Sequence, residues 1–412
     1  MAETVFLSAE PAPPAAEEHC ERAAAGIRLL AIAFTLNCIG LVFVYSASAV
    51  RAAAEGWEMT LLCNQALWAC LALAGFWVCS RIPIAWLARF WLPLVLFTLA
   101  LLTLVLMPGV AAPVRGAYRW LRIGGWRFQP SEITKLAMVI SLAGFLARFR
   151  GEERMPFWRA LLPASVAIGV VAGLIAVEPD IGTAGMLAAV LGAMLWVAGA
   201  RILEMAALAA IAMPPAGYYV WHNFAHIQRR WQDWVAGTAD GTGYQTFMSK
   251  VALGSGGPYG MGLGQGQAKL FFLPDSHTDF ILAIVGQEIG IIGTGVILFL
   301  FALWVVEGMR LARLAASRFE RLLAFGIVMM IGMQAAFNMA VVTASIPPKG
   351  ISLPFVSFGG SGLCVAWAAT GMLVAISRSQ LHAGGRIGED QPAEVLEIDA
   401  PSAAEKGERL AA

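Results

Sequence analysis

The sequence predicts an all-α polytopic membrane protein of about ten transmembrane helices, and three observations predict it. Of the 412 residues, 59% are hydrophobic and only 13% charged, whereas soluble domains are about half apolar and about a quarter charged. The mean hydropathy is +0.71. The apolar residues gather into stretches close to the roughly 20 residues that a helix needs to cross the hydrocarbon core.

Those stretches run approximately over 29–50, 59–80, 84–107, 131–148, 157–177, 181–200, 202–220, 278–306, 322–344 and 353–377. Glu178-Pro179-Asp180 interrupts what would otherwise be one long apolar run, so the fifth and sixth are the least distinct. Fourteen Trp residues fit the same picture, because indole favours the bilayer interface. Residues 1–25 begin rich in Ala, Pro and Glu, with no basic start or apolar centre, and so are not a signal peptide. They read as a disordered cytoplasmic tail, as do residues 379–412, leaving residues 26–378 as one membrane domain. Cys20, Cys38, Cys63, Cys70, Cys79 and Cys364 form no CxxC pair, and all but Cys20 lie in apolar runs, as expected of small buried hydrophobes. The formal charge of +1 points to no partner class, and no basic stretch is long enough to suggest nucleic acid.

An even number of spans places both tails on one side. Short loops that would be cytoplasmic with the N-terminus inside hold Arg81, Arg148, Arg150, Arg154, Arg159, Arg201, Arg310, Arg313, Arg318 and Arg321; the tails add Arg22, Arg28 and Arg378. The outside segments hold fewer cations, so the positive-inside rule selects N-in and C-in. The cations left outside are clustered: Arg51; Arg115, Arg119, Arg122 and Arg127; Arg229, Arg230, Lys250 and Lys269; and Lys349. Such clusters need a reason other than topology.

The longest outside segment, about 221–277, is too long for a simple connection, and such loops are commonly functional. Ile227 to Trp234 reads as an interfacial helix. The run from Gly254 to Gly266 lacks the Gly-Lys-Ser/Thr of a Walker loop. It either folds re-entrantly and offers N–H groups to an anion or is simply flexible. His222 and His226 have i, i+4 metal spacing but no third ligand nearby, which favours packing.

Four constellations carry candidate chemistry. From Arg115 to Lys135 come several Arg, Trp120 and Trp126, then Pro130-Ser131-Glu132 opening a span. Glu132 and Lys135 share a helix face, either as a structural ion pair or as part of a cationic wall for a phosphate-bearing lipid. Glu178 and Asp180 are two carboxylates at a helix break. Leu273 to Phe280 opens the eighth span. There Ser276 and Asp279 have capping-box spacing, while an ionised Asp279 in an exposed cleft would equally suit a general base. Gln287 and Glu288 lie deeper, where a carboxylate requires a partner or water. Finally, Ile346 to Ser361 is irregular backbone that a membrane tolerates only when buried in protein or lining a cavity, with Lys349 and Ser357 facing that cavity.

The ordered set of motifs resembles the SEDS family (shape, elongation, division and sporulation), the FtsW and RodA type of peptidoglycan polymerase. The matches are Val44-Tyr45-Ser46-Ala47-Ser48, Arg119-Trp120, Gln129 to Glu132, Glu178 to Thr183, Gly243-Tyr244-Gln245, the glycine run, Leu273 to Phe280, and Leu353 to Ser361. The resemblance implies a glycosyltransferase that polymerises lipid II on the outer face of the bacterial cytoplasmic membrane, at the division septum. It implies a class B penicillin-binding protein and other divisome membrane proteins as partners. It makes Asp279 the catalytic residue and Arg119, Trp120, Arg127, Glu132, Lys135, Lys349 and Ser357 substrate-binding. Lys349-Gly350 is more like the division type than the elongation type, although Pro347-Pro348 replaces the usual Pro-Thr. Asp275, Phe358, Gly362, Gln287 and Phe271 also depart from the common pattern.

The chemistry is consistent with those residues. An α-linked sugar diphosphate giving a β-linked product needs one inverting displacement, with a base for the acceptor 4-hydroxyl and positive charge for the departing diphosphate. A divalent cation, Mg or Mn, is compatible with the carboxylates, but the sequence contains no dedicated metal site. A lipid II flippase or transporter would use the same architecture and cations without needing the base, and a scaffold would need neither.

Overall fold

The structure is a computed structural model that describes residues 14–379, apart from 56–57, 108, 115–116, 124–125, 150–154, 238–242 and 271. Backbone polar groups find no water in a bilayer core, so apolar chain there folds into helices that satisfy themselves. The described chain follows that rule. It runs through α1 (Pro14–Glu55), α2 (Glu58–Cys79) and α3 (Ile84–Leu87), which continues through a 3-10 turn into α4 (Trp91–Leu106). A three-stranded antiparallel sheet follows, β1 (Ala111–Val114), β2 (Ala117–Ile123) and β3 (Trp126–Phe128). Then come α5 (Pro130–Leu146), α6 (Leu162–Val177), α7 (Ile181–Val197), α8 (Ile202–Asn223), α9 (Ala225–Ala236), α10 (Gly243–Gly256), α11 (Ile281–Leu314), α12 (Arg318–Val342) and α13 (Gly360–Arg378).

Six helical stretches are long and apolar enough to cross a membrane, and Cys63–Cys79 and Ile181–Val197 are shorter apolar helices. The other two expected spans are helical too, as α5 and α8. The 221–277 segment is far from a bare loop, because α9 and α10 lie within it.

The expected helical fold holds with one addition, and two expectations are corrected. The addition is the small sheet, in which Leu121 pairs with Phe128 and Arg122 with Arg127 across β2 and β3. Aromatic residues favour strands, and Leu121, Val105 and Ala111 bury together beneath the sheet. Residues 14–25, expected to be disordered, are helical. Their Ala and Glu are strong helix formers, and the Glu21–Arg310 and Arg28–Glu307 pairs, each 2.8 Å, hold the helix to α11. Residues 1–13 and 380–412 of the expected tails lie outside the described residues. The cysteines are not buried: Cys20, Cys38, Cys63 and Cys70 are exposed, and Cys79 and Cys364 half-buried. An apolar stretch reveals depth in the membrane, but not whether a side chain faces protein or lipid.

α13 packs along α2 and α1, α11 lies against α1 and α12, and α5 against α4 and α12. The loop between α12 and α13 is anchored in this core. Phe355, fully buried, sits between Trp304 and Trp367 with ring centroids 6.1 and 5.9 Å away. Its φ of +63° is a strained choice for a side-chain-bearing residue, and the two indoles hold it there.

α11 is broken at Gly290, with φ +71° and ψ −171°. The break frees the carbonyls of Gln287 and Glu288 and the N–H groups of Ile291 and Ile292. The glycine run takes up all four: Met261 and Gly262 donate to the carbonyls at 2.9 and 3.0 Å, and Gly257 and Pro258 accept at 2.9 and 3.3 Å. A Cβ on Gly260 would stand 2.1 Å from the Glu288 carbonyl oxygen, so nothing but glycine fits there. The run is neither a loose tether nor an open anion nest.

Candidate active site

The turn that carries Asp279 ends at Phe280, the N-cap of α11, which has no side-chain cap. The capping-box reading of Ser276 and Asp279 therefore fails, because the helix begins later than the spacing implied. The turn is stitched to the α12–α13 loop on both sides of the acid. The Asn338 amide donates to the backbone carbonyls of Asp279 (2.8 Å) and Ile351 (2.7 Å). Ser357 Oγ donates to the Thr278 carbonyl at 2.6 Å and accepts from the Leu353 N–H at 2.8 Å. Phe358 N–H donates to the His277 carbonyl at 3.0 Å. With the backbones this close, the Asp279 carboxylate lies directly over Gly350, where a Cβ would stand 3.0 Å from Oδ2.

Cations reach this floor from separate segments. The Lys349 side chain crosses Gly182, its Cδ 2.9 Å from where a Cβ would be. Burial lowers the Lys349 pKa, Asp180 pulls it back up and Arg230 lowers it further. Asp180 is the N-cap of α7, accepts from Thr183 N–H at 3.3 Å, and has Arg119 Nη1 3.9 Å away. Arg230, on α9, is exposed. Desolvation by the surrounding protein and then the charge of Arg119 lower its pKa, against the attraction of Asp279. Glu178 is buried with neither carboxyl oxygen hydrogen-bonded. Burial first and Asp180 second push its pKa up to about 8, against Arg119, so it is mostly uncharged at neutral pH. Three cations (Arg119, Arg230, Lys349) thus gather with the side chains of Asp180 and Asp279, a concentration of positive groups suited to an anion.

The other candidates are placed as follows. Trp120 is half-buried on β2 opposite Ala112. Arg127 is on β3, and its side chain lies outside the described residues. Glu132 and Lys135 form an ion pair of 2.8 Å, and Lys135, 2% exposed, also donates to Gln334 Oε1 at 2.6 Å. Gln334 in turn donates to the Ser352 carbonyl at 3.0 Å, so the Lys135 ammonium is engaged within the bundle beneath the loop. Glu288 has the partner its depth required, Lys269, at 2.7 Å. His222 stacks on Tyr218 at 4.2 Å, and the His226 side chain is outside the described residues.

Sequence reasoning missed Arg230 and Asn338 as site residues. Arg230 was visible as an excess outside cation, though not as one facing Asp279. Asn338 was visible, with Gln334 one turn before it, as one of two amides in an apolar span, a rare placement that usually has a purpose.

The fold and the site define a polytopic helical membrane protein with a carboxylate and a cluster of cations at one end. A family profile described as "Cell cycle protein", covering FtsW, RodA and SpoVE, matches residues 27–382, and the chain belongs to that family. It is 40% identical over 352 residues to the "Probable peptidoglycan glycosyltransferase FtsW" of Trichlorobacter lovleyi, covering 85% of this chain and 92% of the relative. It is 36% identical over 359 residues to "Stage V sporulation protein E" of Bacillus subtilis, covering 85% and 96%. Among solved structures, a chain from "Structural coordination of polymerization and crosslinking by a peptidoglycan synthase complex" matches with TM-score 0.71 at 25% identity, covering 86% of this chain and 98% of that one. The rod shape determining protein RodA of Thermus thermophilus shares the fold, with TM-score 0.63 at 24% identity over 85% and 95% of the two chains.

Proposed function

We propose that the chain is a peptidoglycan glycosyltransferase of the division type that polymerises lipid II on the outer face of the bacterial cytoplasmic membrane. The observation that carries this is the Asp279 carboxylate lying over Gly350 with Lys349, Arg119 and Arg230 gathered around it. Ten spans with both ends inside place this cluster outside. Arg310, Arg313, Arg318, Arg321 and Arg378, at the opposite ends of α11, α12 and α13, then face the cytoplasm as the positive-inside rule requires.

The acceptor 4-hydroxyl oxygen forms a bond to the donor anomeric carbon while that carbon's bond to the diphosphate breaks. Asp279 takes the hydroxyl proton as general base, and undecaprenyl diphosphate leaves. Lys349, Arg119 and Arg230 offset the charge that develops on it. Arg127, Trp120, Glu132, Lys135 and Ser357 support substrate binding, directly or by holding the loops. No group of three or more His, Cys, Asp or Glu suited to a metal occurs among the described residues. A divalent cation (Mg or Mn) therefore fits only as Mg commonly binds, through one or two carboxylates plus substrate phosphates, with Asp279 as the carboxylate. A class B penicillin-binding protein at the division septum is the partner that would cross-link the product. The curated relatives named FtsW support the division role.

The test is polymerisation of labelled lipid II by the purified protein with its transpeptidase. Asp279→Ala is expected to abolish product while the protein still folds and binds its partner. Undiminished polymerisation by that variant refutes the assignment. A flippase or a scaffold would move no label into polymer in either form.

A further inference from the structure

Away from the substrate cluster, a second charged group is closed within the bundle. The Glu288 and Lys269 side chains are 0% and 4% exposed and 2.7 Å apart. Ser46 Oγ, from α1, reaches both Glu288 oxygens at 2.7 and 2.8 Å and accepts from Lys269 Nζ at 3.0 Å. Gly264 N–H donates to Glu288 Oε2 at 3.0 Å. Beside it, Gln287 accepts from Ala268 N–H at 2.9 Å and donates to Ser255 Oγ at 3.1 Å. The anion that the glycine run receives is the protein's own Glu288.

A buried ion pair is a poor way to gain stability, since an apolar replacement of both partners is often as stable. Its location suggests another use. Asp279 lies between Lys269 and Glu288 in sequence, so the pair closes the base of a hairpin that has the acid at its tip. One arm is the first part of α11, Ile281 to Glu288, about 12 Å of rigid helix that ends at the Gly290 break. The other arm is the segment from Lys269 to Phe280, described apart from residue 271. Ser46 fastens the base to α1, so the hairpin cannot slide along the bundle as a unit.

We infer that Lys269, Glu288 and Ser46 form a clasp that sets the position of Asp279 over Gly350, making them positioning residues for the acid. This deepens the transferase reading and depends on it only for the activity assay.

The test compares Lys269→Met, Glu288→Gln, the double variant and Ser46→Ala in the full-length protein with its transpeptidase. Each single charge removal leaves a buried charge or a buried polar group without its partner, so both are expected to lower the melting temperature and yield. The double variant restores both. If the clasp only stabilised the fold, the double variant would also regain activity. The clasp predicts instead that kcat for lipid II polymerisation stays about 100-fold down with KM within about twofold, as for a misplaced catalytic group. It also predicts that amide exchange in the 273–281 peptide rises about tenfold while exchange elsewhere is unchanged.

Wild-type kcat or wild-type 273–281 exchange in the double variant overturns the inference. If the double variant does not fold, Ser46→Ala decides: a local rise in exchange supports the clasp, and unchanged exchange overturns it. If the wild-type protein makes no polymer, the transferase reading fails by itself, and the exchange measurement still decides the clasp.

Discussion

Replacing Asn338 with Leu removes one amide group and cuts two ties at once. Its Nδ2 donates to the carbonyls of Asp279 and Ile351 at 2.8 and 2.7 Å, and the residue is fully buried. Leucine has similar bulk but no donor, so both carbonyls lose this amide. An unsatisfied buried carbonyl costs roughly 1–3 kcal/mol. The Ile351 tie is buried and the Asp279 tie part-buried, while the change also removes an Oδ1 that has no partner, which leaves a net loss of about 1–3 kcal/mol. That is a large share of the roughly 5–15 kcal/mol that holds a typical protein folded, so a clear fall in melting temperature is expected. The sharper consequence concerns the acid. Without the amide, the Asp279 backbone and the Gly350-Ile351 backbone are free to separate, and a displacement of about 1 Å at a reacting group costs about 100-fold in rate. Steady-state polymerisation of labelled lipid II should therefore show kcat reduced about 100-fold with KM little changed, measured at a temperature where the variant is folded. A folded Asn338→Leu protein with wild-type kcat would refute the idea that this amide registers the two segments.

Three further outcomes are expected. Gly350→Ala places a methyl 3.0 Å from Asp279 Oδ2; kcat should fall by about 10–100-fold while the melting temperature changes little, and full activity would mean the acid does not work from this position. Lys349→Met removes one cation, and loss of one charge-stabilising donor lowers kcat by about 100-fold; unchanged kinetics would remove Lys349 from the diphosphate site. Glu178 has its pKa raised from 4.5 to about 8. Between those values the folded state keeps a proton that the unfolded state has lost, so its contribution falls as pH rises through that window and is fully lost above about pH 8. Melting curves from pH 5 to 8.5 should show the wild type losing stability relative to Glu178→Gln, and parallel curves would show that the carboxyl is not held protonated.

The helices were legible because crossing lipid forces a long apolar stretch, and each such stretch is written out in the sequence. The sheet was not: β2 and β3 carry the same Arg and Trp that read as an electrostatic cluster, and their alternation went unused. The break at Gly290 was hidden because glycine is common in membrane helices and its cause, the glycine run, lies some thirty residues earlier. Ser276 and Asp279 have true capping spacing, yet the stitches from Asn338 and Ser357 hold the turn out of the helix, and such long-range ties leave no local mark. Asp279 was found by motif. The Gly350 floor beneath it and Arg230 opposite it required three dimensions.

The order in which these parts leave the ribosome has a consequence. Asp279 is made before Asn338, Lys349 and Gly350, so when the acid's own segment is complete neither its amide tie nor its glycine floor exists. Only after α12 has inserted and the Phe355 loop has docked between Trp304 and Trp367 does the acid acquire its amide tie and its glycine floor. The end that carries Asp279 is therefore the last region of the molecule to mature. A chain truncated before Gly350 would carry every helix up to α12 and the acid itself, yet present no assembled site to the membrane around it.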